Sequence, residues 1–122
     1  MKAWIGAFAL VSAATLTTPA AAGGEYTCKD NRVEKSGGTV YTVRRSGADI
    51  YIEKSGGTRG KAVQRGDKYA VEVSGSTQAT IESGKIYKSG STWTTIEEAQ
   101  RKYDCDPVVA ATLWVLEQVG AL

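Results

Sequence analysis

VEKSGGT (residues 33–39), IEKSGGT (52–58), VEVSGST (71–77) and IYKSGST (86–92) are four versions of one phrase: an apolar residue, two more residues, Ser-Gly, then Gly or Ser, and Thr. Their starts lie 19, 19 and 15 positions apart, so the middle of the chain is a series of similar structural units. Each unit reads as a Ser-Gly turn, a strand starting at Thr, a second glycine turn, and a strand that returns into the next phrase. The second turns fall at Ser46-Gly47, Arg65-Gly66 and Ser83-Gly84. Glycine there supplies the positive φ that tight hairpins require. The spacing predicts a mainly β fold, an antiparallel meander of about seven or eight short strands. Glu25 to Lys35 should add a first strand or two.

Alternation of side chains predicts the buried face. Tyr41, Val43, Ile50, Ile52, Gly60, Ala62, Tyr69, Val71, Val73, Ala79, Ile81, Ile86 and Ile96 fall on one side. The aligned positions Tyr41, Gly60, Ala79 and Thr94 mix one bulky residue with small ones, as a sheet curled into a roll or small barrel needs. A linear stack of hairpins is the rival arrangement. The other face carries Val40, Thr42, Arg44, Asp49, Tyr51, Glu53, Arg59, Lys61, Val63, Lys68, Glu72, Gln78, Glu82, Tyr87 and Trp93 and should be mostly wet.

After Thr94 the period changes. Thr95 and Glu98 form a capping-box pattern, with Ile96, Ala99, Gln100 and Tyr103 on one side of a short helix. Asp106-Pro107 then opens a second helix, Pro107 to Val119, ended by Gly120. Val108, Val109, Thr112, Leu113, Val115, Leu116 and Val119 form its apolar arc, and Ala110, Trp114, Glu117 and Gln118 lie opposite. At about 13 residues it is too short to span a bilayer, so it should dock on the sheet or close an open end of the roll. The helical C-terminal segment is thus expected over residues 96–119.

At the other end, Lys2, the apolar run Ala3 to Leu16 and the small residues Ala20-Ala21-Ala22 read as a secretory signal peptide over residues 1–22. Residues 23–122 are then one β-rich domain, with no transmembrane segment after cleavage, exported to the periplasm or the medium. Cys28 and Cys105, the two cysteines, flank the repeats and should form a disulfide in that compartment. Closing so long a loop is worth about 4–5 kcal/mol by chain entropy.

Without Lys2, 14 basic and 13 acidic residues remain, which gives no global field to attract nucleic acid. Histidine is absent, which removes the commonest general base and zinc ligand. No acidic series suits calcium, and the Gly turns lack the lysine and helix of a phosphate loop. No cofactor or metal is expected. Surface remains: Tyr51, Tyr87, Trp93 and Trp114 with Arg44, Arg59 and Lys61 form the candidate binding residues, since aromatics and arginine dominate interface hot spots. The competing reading is that the C-terminal helix lies on that same face and buries Tyr51, Tyr87 and Trp93 as a second small core, with Trp114 packed under a loop.

The functional expectation is an exported, non-catalytic binding or inhibitory module whose partner is another protein or an envelope component. Second is a structural part of the envelope, and third a small carboxylate-dependent hydrolase, because two carboxylates need only a separation in space. In outline, Tyr26-Thr27-Cys28, the Gly-punctuated strands and the cysteine after the last strand resemble the small periplasmic inhibitors of C-type lysozyme. The likeness spans Tyr26 to Cys105. It departs from them at the elements they use against the enzyme: Ser74-Gly75-Ser76-Thr77-Gln78 lacks their tyrosine.

Overall fold

The computed structural model describes residues 25–122. The signal peptide read in residues 1–22 lies outside them. Ten strands follow in chain order: β1 (Tyr26–Lys29), β2 (Arg32–Lys35), β3 (Gly38–Ser46), β4 (Asp49–Lys54), β5 (Gly57–Arg65), β6 (Lys68–Val73), β7 (Ser76–Glu82), β8 (Lys85–Lys88), β9 (Ser91–Thr95) and, after helix α1 (Ile96–Lys102), β10 (Tyr103–Asp104). Helix α2 (Pro107–Gln118) ends the chain. The strands form one sheet in the order β9-β8-β7-β6-β5-β4-β3-β2-β1-β10. Every neighbouring pair is antiparallel except β10, which lies parallel to β1. This is the antiparallel meander expected, with the added strands over Glu25 to Lys35 present and the short β10 beyond them. The two-residue β10 carries too little pattern to be counted from sequence.

The repeated phrase works through its turn. Ser36-Gly37, Ser55-Gly56, Ser74-Gly75, Ser83-Gly84 and Ser89-Gly90 each place two successive residues at positive φ, 51–55° at serine and 78–84° at glycine. That is the primed two-residue hairpin turn whose twist matches the flanking strands. Two of the intervening turns sit one residue later than expected. Ser46 pairs with Asp49 and Arg65 with Lys68, so the loops are Gly47-Ala48 and Gly66-Asp67.

Laid flat, ten strands would put the outermost two about 43 Å apart. Those two, β9 and β10, are joined by α1 alone, and seven helical residues reach only about 10 Å. The sheet therefore curls into the expected roll, not a linear stack. It does not close: β9 and β10 remain edges, with α1 between them.

Helix α2 lies against the concave side, on β5, β6, β7, β10 and α1. Cross-strand rows face it: Val43, Ile52 and Gly60, then Ile50, Ala62, Val71 and Ala79, then Tyr69, Ile81, Ile86 and Thr94. The size gradient has a cause. A Cβ on Gly60 would overlap Leu116 Cδ2 and lie 2.9 Å from its Cδ1, so α2 passes closest to the sheet where the residue is smallest. Ala110 is fully buried with Val109, Ala111, Thr112, Leu113, Val115 and Leu116. The exposed side expected for α2 thus shrinks to Gln118, with Trp114 and Glu117 half-buried.

Both helices are capped as their sequences imply. Thr95 Oγ1 accepts from Glu98 N at 3.1 Å, although the Glu98 carboxylate faces Arg101 at 3.5 Å instead of closing the box. Asp106 Oδ1 accepts from Val109 N (3.0 Å), and its Oδ2 accepts from Arg45 on β3 (2.9 Å). Gly120, at φ 77°, ends α2, with Ala121 N donating to Leu116 O and Gly120 N to Glu117 O. Cys28 on β1 is bonded to Cys105, which fixes the start of α2 beside the first strand. Among the described residues no helix is long and apolar enough to cross a membrane.

Candidate functional site: the convex face of the sheet

Helix α2 packs on the concave side and α1 sits between the two edge strands, which leaves the outward rows open. Strand pairing aligns Arg44, Tyr51, Lys61 and Glu72 in one row across β3, β4, β5 and β6. The Arg44 guanidinium lies 4.2 Å from the centre of the Tyr51 ring and Lys61 Nζ lies 5.7 Å from it, so the ring is flanked by two cations. Arg44 is oriented by its Nε, which donates to Glu53 Oε2 at 2.8 Å. Glu72 is only 8% exposed although it faces outward. Arg65 donates to it at 3.1 Å and Lys61 lies 3.9 Å away, so two cations serve one carboxylate.

A structural device repeats beneath this row. Val33 pairs with Tyr41 but Glu34 with Thr39; Ile52 pairs with Gly60 but Glu53 with Thr58; Val71 pairs with Ala79 but Glu72 with Thr77; Ile86 pairs with Thr94 but Tyr87 with Thr92. One extra residue follows the threonine of each phrase, a β-bulge that holds Val40, Arg59, Gln78 and Trp93 in turn. Bulges bend the strand and break strict alternation, which is why simple period-two reading misplaces Val40 and Trp93, whereas Arg59 and Gln78 stay on the outward face. Val40 and Trp93 pack against the core.

Two recesses open on the convex face, each between a bulged strand and its returning partner. The first, about 260 Å³, is lined by Tyr51, Thr58, Lys61, Glu72 and Ser74, among others. The second, about 690 Å³, includes Thr77, Thr80, Tyr87 and Ser89, with Lys68 and Glu82 beside them. They are repeat equivalents. Thr58, Arg59, Gly60 and Lys61 of the first correspond to Thr77, Gln78, Ala79 and Thr80 of the second, and Glu72, Ser74 and Gly75 to Tyr87, Ser89 and Gly90.

The structure sorts the candidate residues accordingly. Tyr51, Arg59 and Lys61 share the first recess with Arg44 beside Tyr51, and Tyr87 lies in the second. Trp93 and Trp114 leave the outward face. Their rings meet edge to face with centroids 4.9 Å apart, on the helix side of the sheet, and Lys88 Nζ lies 4.6 Å from the Trp93 ring centre. The bulge turns Trp93 toward α2, where it covers the side of the helix that carries Trp114.

Sequence reading missed a second cluster at the β1 end of the core. Tyr26 stacks on Tyr103 (4.7 Å between centroids) and lies 6.3 Å from Tyr41. Tyr103 Oη donates to Glu117 Oε1 at 2.6 Å, and Lys102 pairs with Glu117 Oε2. Burial, then the bond to Glu117, pushes the Tyr103 phenol far above its ordinary range. Burial alone would raise the Glu117 carboxyl, but its bonds from Lys102 and Tyr103 outweigh that and hold it below the usual carboxylate value. No recess opens here among those described, and the cluster reads as packing. It was invisible because β10, which brings Tyr103 to Tyr26, pairs across 77 residues of chain.

Among the described residues no three His, Cys, Asp or Glu side chains converge to hold a metal ion. No protein family, characterised protein or solved structure matches this chain, so the outline it shares with the lysozyme inhibitors carries no residue's role over to it.

Proposed function

We propose that the chain is an exported, non-catalytic binding module that engages its partner through the convex face of the curled sheet. The observation that carries this reading is the Arg44–Tyr51–Lys61 arrangement, an aromatic ring held between two cations on a face that neither helix covers. Such a ring is already ordered, so little side-chain entropy is lost on binding. Export is supported by the Cys28–Cys105 disulfide, which persists in oxidising compartments, and by the signal-like residues 1–22. The absence of histidine favours binding over acid–base chemistry.

The test is affinity capture from the exported fraction of the producing cell with the wild-type domain, Tyr51→Ala and Arg44→Gln. The expected result is one soluble partner retained by the wild type and lost by both variants, whose melting temperatures stay within about 4 °C of wild type, as for surface changes. Equal capture by Tyr51→Ala overturns the reading. Sedimentation of the wild type with the envelope, insensitive to these substitutions, would instead identify a structural component.

A further inference from the structure

The two recesses offer similar chemical groups drawn in part from different repeat positions. The first has Tyr51, Arg59, Lys61, Glu72, Thr58 and Ser74; the second has Tyr87, Lys68, Lys88, Glu82 and the hydroxyls of Thr77, Thr80 and Ser89. Each is thus an aromatic ring, two cations, one carboxylate and two or three hydroxyls around an open groove. In repeat terms the tyrosines are not equivalent, since Tyr51 corresponds to Ala70 and Tyr87 to Glu72. The ring, the cations and the carboxylate thus stand at different repeat positions in the two recesses, while Thr58 and Thr77, and Ser74 and Ser89, belong to the shared phrase.

From this we infer that the convex face binds an extended, β-linked glycan carrying one carboxylate per disaccharide, laid across the strands so that each hairpin repeat supplies one subsite. The inference rests on the reading of this face as the binding surface. Four features of the recesses carry it.

Neighbouring repeats are two strand spacings apart, about 10 Å. That is close to the length of a disaccharide in an extended β-linked chain. Tyr51 on β4 and Tyr87 on β8 are four spacings apart, so a tetrasaccharide reaches from one ring to the other. An open groove lined largely by polar groups, with one aromatic ring, suits a pyranose, whose C–H face stacks while its hydroxyls pair with Thr, Ser and Glu.

Charge selects the acidic form. Around Glu72 two cations, Lys61 and Arg65, share one carboxylate, and among the described residues Lys68 has no carboxylate within 4 Å. Both recesses therefore hold positive charge not neutralised by the protein. A linear polymer also accounts for why the surface is repeated at all, because a repeating ligand gains affinity through linked subsites.

The experiment titrates the intact, disulfide-bonded domain with hyaluronan di- and tetrasaccharides, following backbone amide shifts and calorimetry, with chitotetraose as the uncharged chain of the same length. The tetrasaccharide should bind at least about tenfold tighter than the disaccharide, with shifts in β4 to β8. Tyr51→Ala and Tyr87→Ala should each reduce the tetrasaccharide to disaccharide affinity, and Lys68→Gln should weaken it while leaving chitotetraose unchanged. The inference is overturned by no saturable tetrasaccharide binding to the folded domain, by affinity independent of chain length or of either tyrosine, or by chitotetraose binding as tightly. None of these outcomes touches Tyr51-dependent capture of a protein partner, so failure of the glycan assignment and failure of the binding-face reading are separable.

Discussion

Replacing Gly60 by alanine probes the distance at which α2 is held inside the curled sheet. Gly60 is in a strand with no positive φ to protect. On backbone grounds alone, alanine in mid-strand should therefore stabilise the domain by about 0.5–1 kcal/mol. Packing opposes this. The new methyl would overlap Leu116 Cδ2, lie 2.9 Å from Cδ1 and 3.2 Å from Glu72 O. Leu116 is fully buried, so its isobutyl group cannot swing aside into solvent. Overpacking of this kind costs about 1–3 kcal/mol, so the sum is a net loss of up to about 2.5 kcal/mol. For a domain this size each kcal/mol lowers the melting temperature by about 4–8 °C. Urea and thermal unfolding of Gly60→Ala, Leu116→Ala and the double variant read the effect. Truncating Leu116 alone should cost about 2–5 kcal/mol, and in the Gly60→Ala background it should cost less by at least about 1 kcal/mol, because the methyl fills the vacated space. A melting temperature raised by Gly60→Ala, or strictly additive losses, would refute the close approach of helix and strand.

The Trp93–Trp114 pair should behave as packing: either alanine substitution costs about 2 kcal/mol, the double variant costs less than the sum, and partner capture survives, as checked by melts and pull-down. Leu113→Asp places a carboxylate at a fully buried position and should leave no cooperative transition in a thermal melt. Reducing the Cys28–Cys105 bond should cost up to about 4 kcal/mol, visible as a lower urea midpoint with an unchanged far-ultraviolet spectrum. Stability should fall at both ends of the pH range. Glu117 is held below its unfolded value, so its contribution is present above that value and lost as pH drops from about 5. Tyr103 is held above its unfolded value, so its contribution is complete below about pH 10 and lost as pH rises further. Absorbance titration at alkaline pH should show Tyr103 ionising only as the domain unfolds, and Glu117→Gln should flatten the acid limb.

Local chemistry was legible wherever a residue's conformation is set by its near neighbours. The Ser-Gly turns, the caps at Thr95 and Asp106, the stop at Gly120 and the core rows from Tyr41 to Ile86 all depend on interactions within a few residues, or on a period of two that survives along each strand. The cysteine pairing was legible because only one pairing is possible. The candidate surface was half legible: Tyr51, Arg44, Lys61 and Arg59 keep the face that alternation assigns them. Trp93 does not, because a bulge inserts one residue and alternation carries no sign of it until the register with β8 is known. Trp114 followed from the same error, since the helix side it occupies has a cover that the helix sequence does not contain.

By itself, then, the sequence determined the hairpin repeat, its turns, the disulfide and the polarity of the two sheet faces, because these are local or combinatorially unique. Only the tertiary structure decided that the sheet curls until β9 and β10 meet α1, that Gly60 is the point of contact with Leu116, that Tyr26, Tyr41 and Tyr103 stack, and that two recesses gather similar groups. Each of these depends on the summed twist and bulging of ten strands, a geometry that no short window of residues encodes.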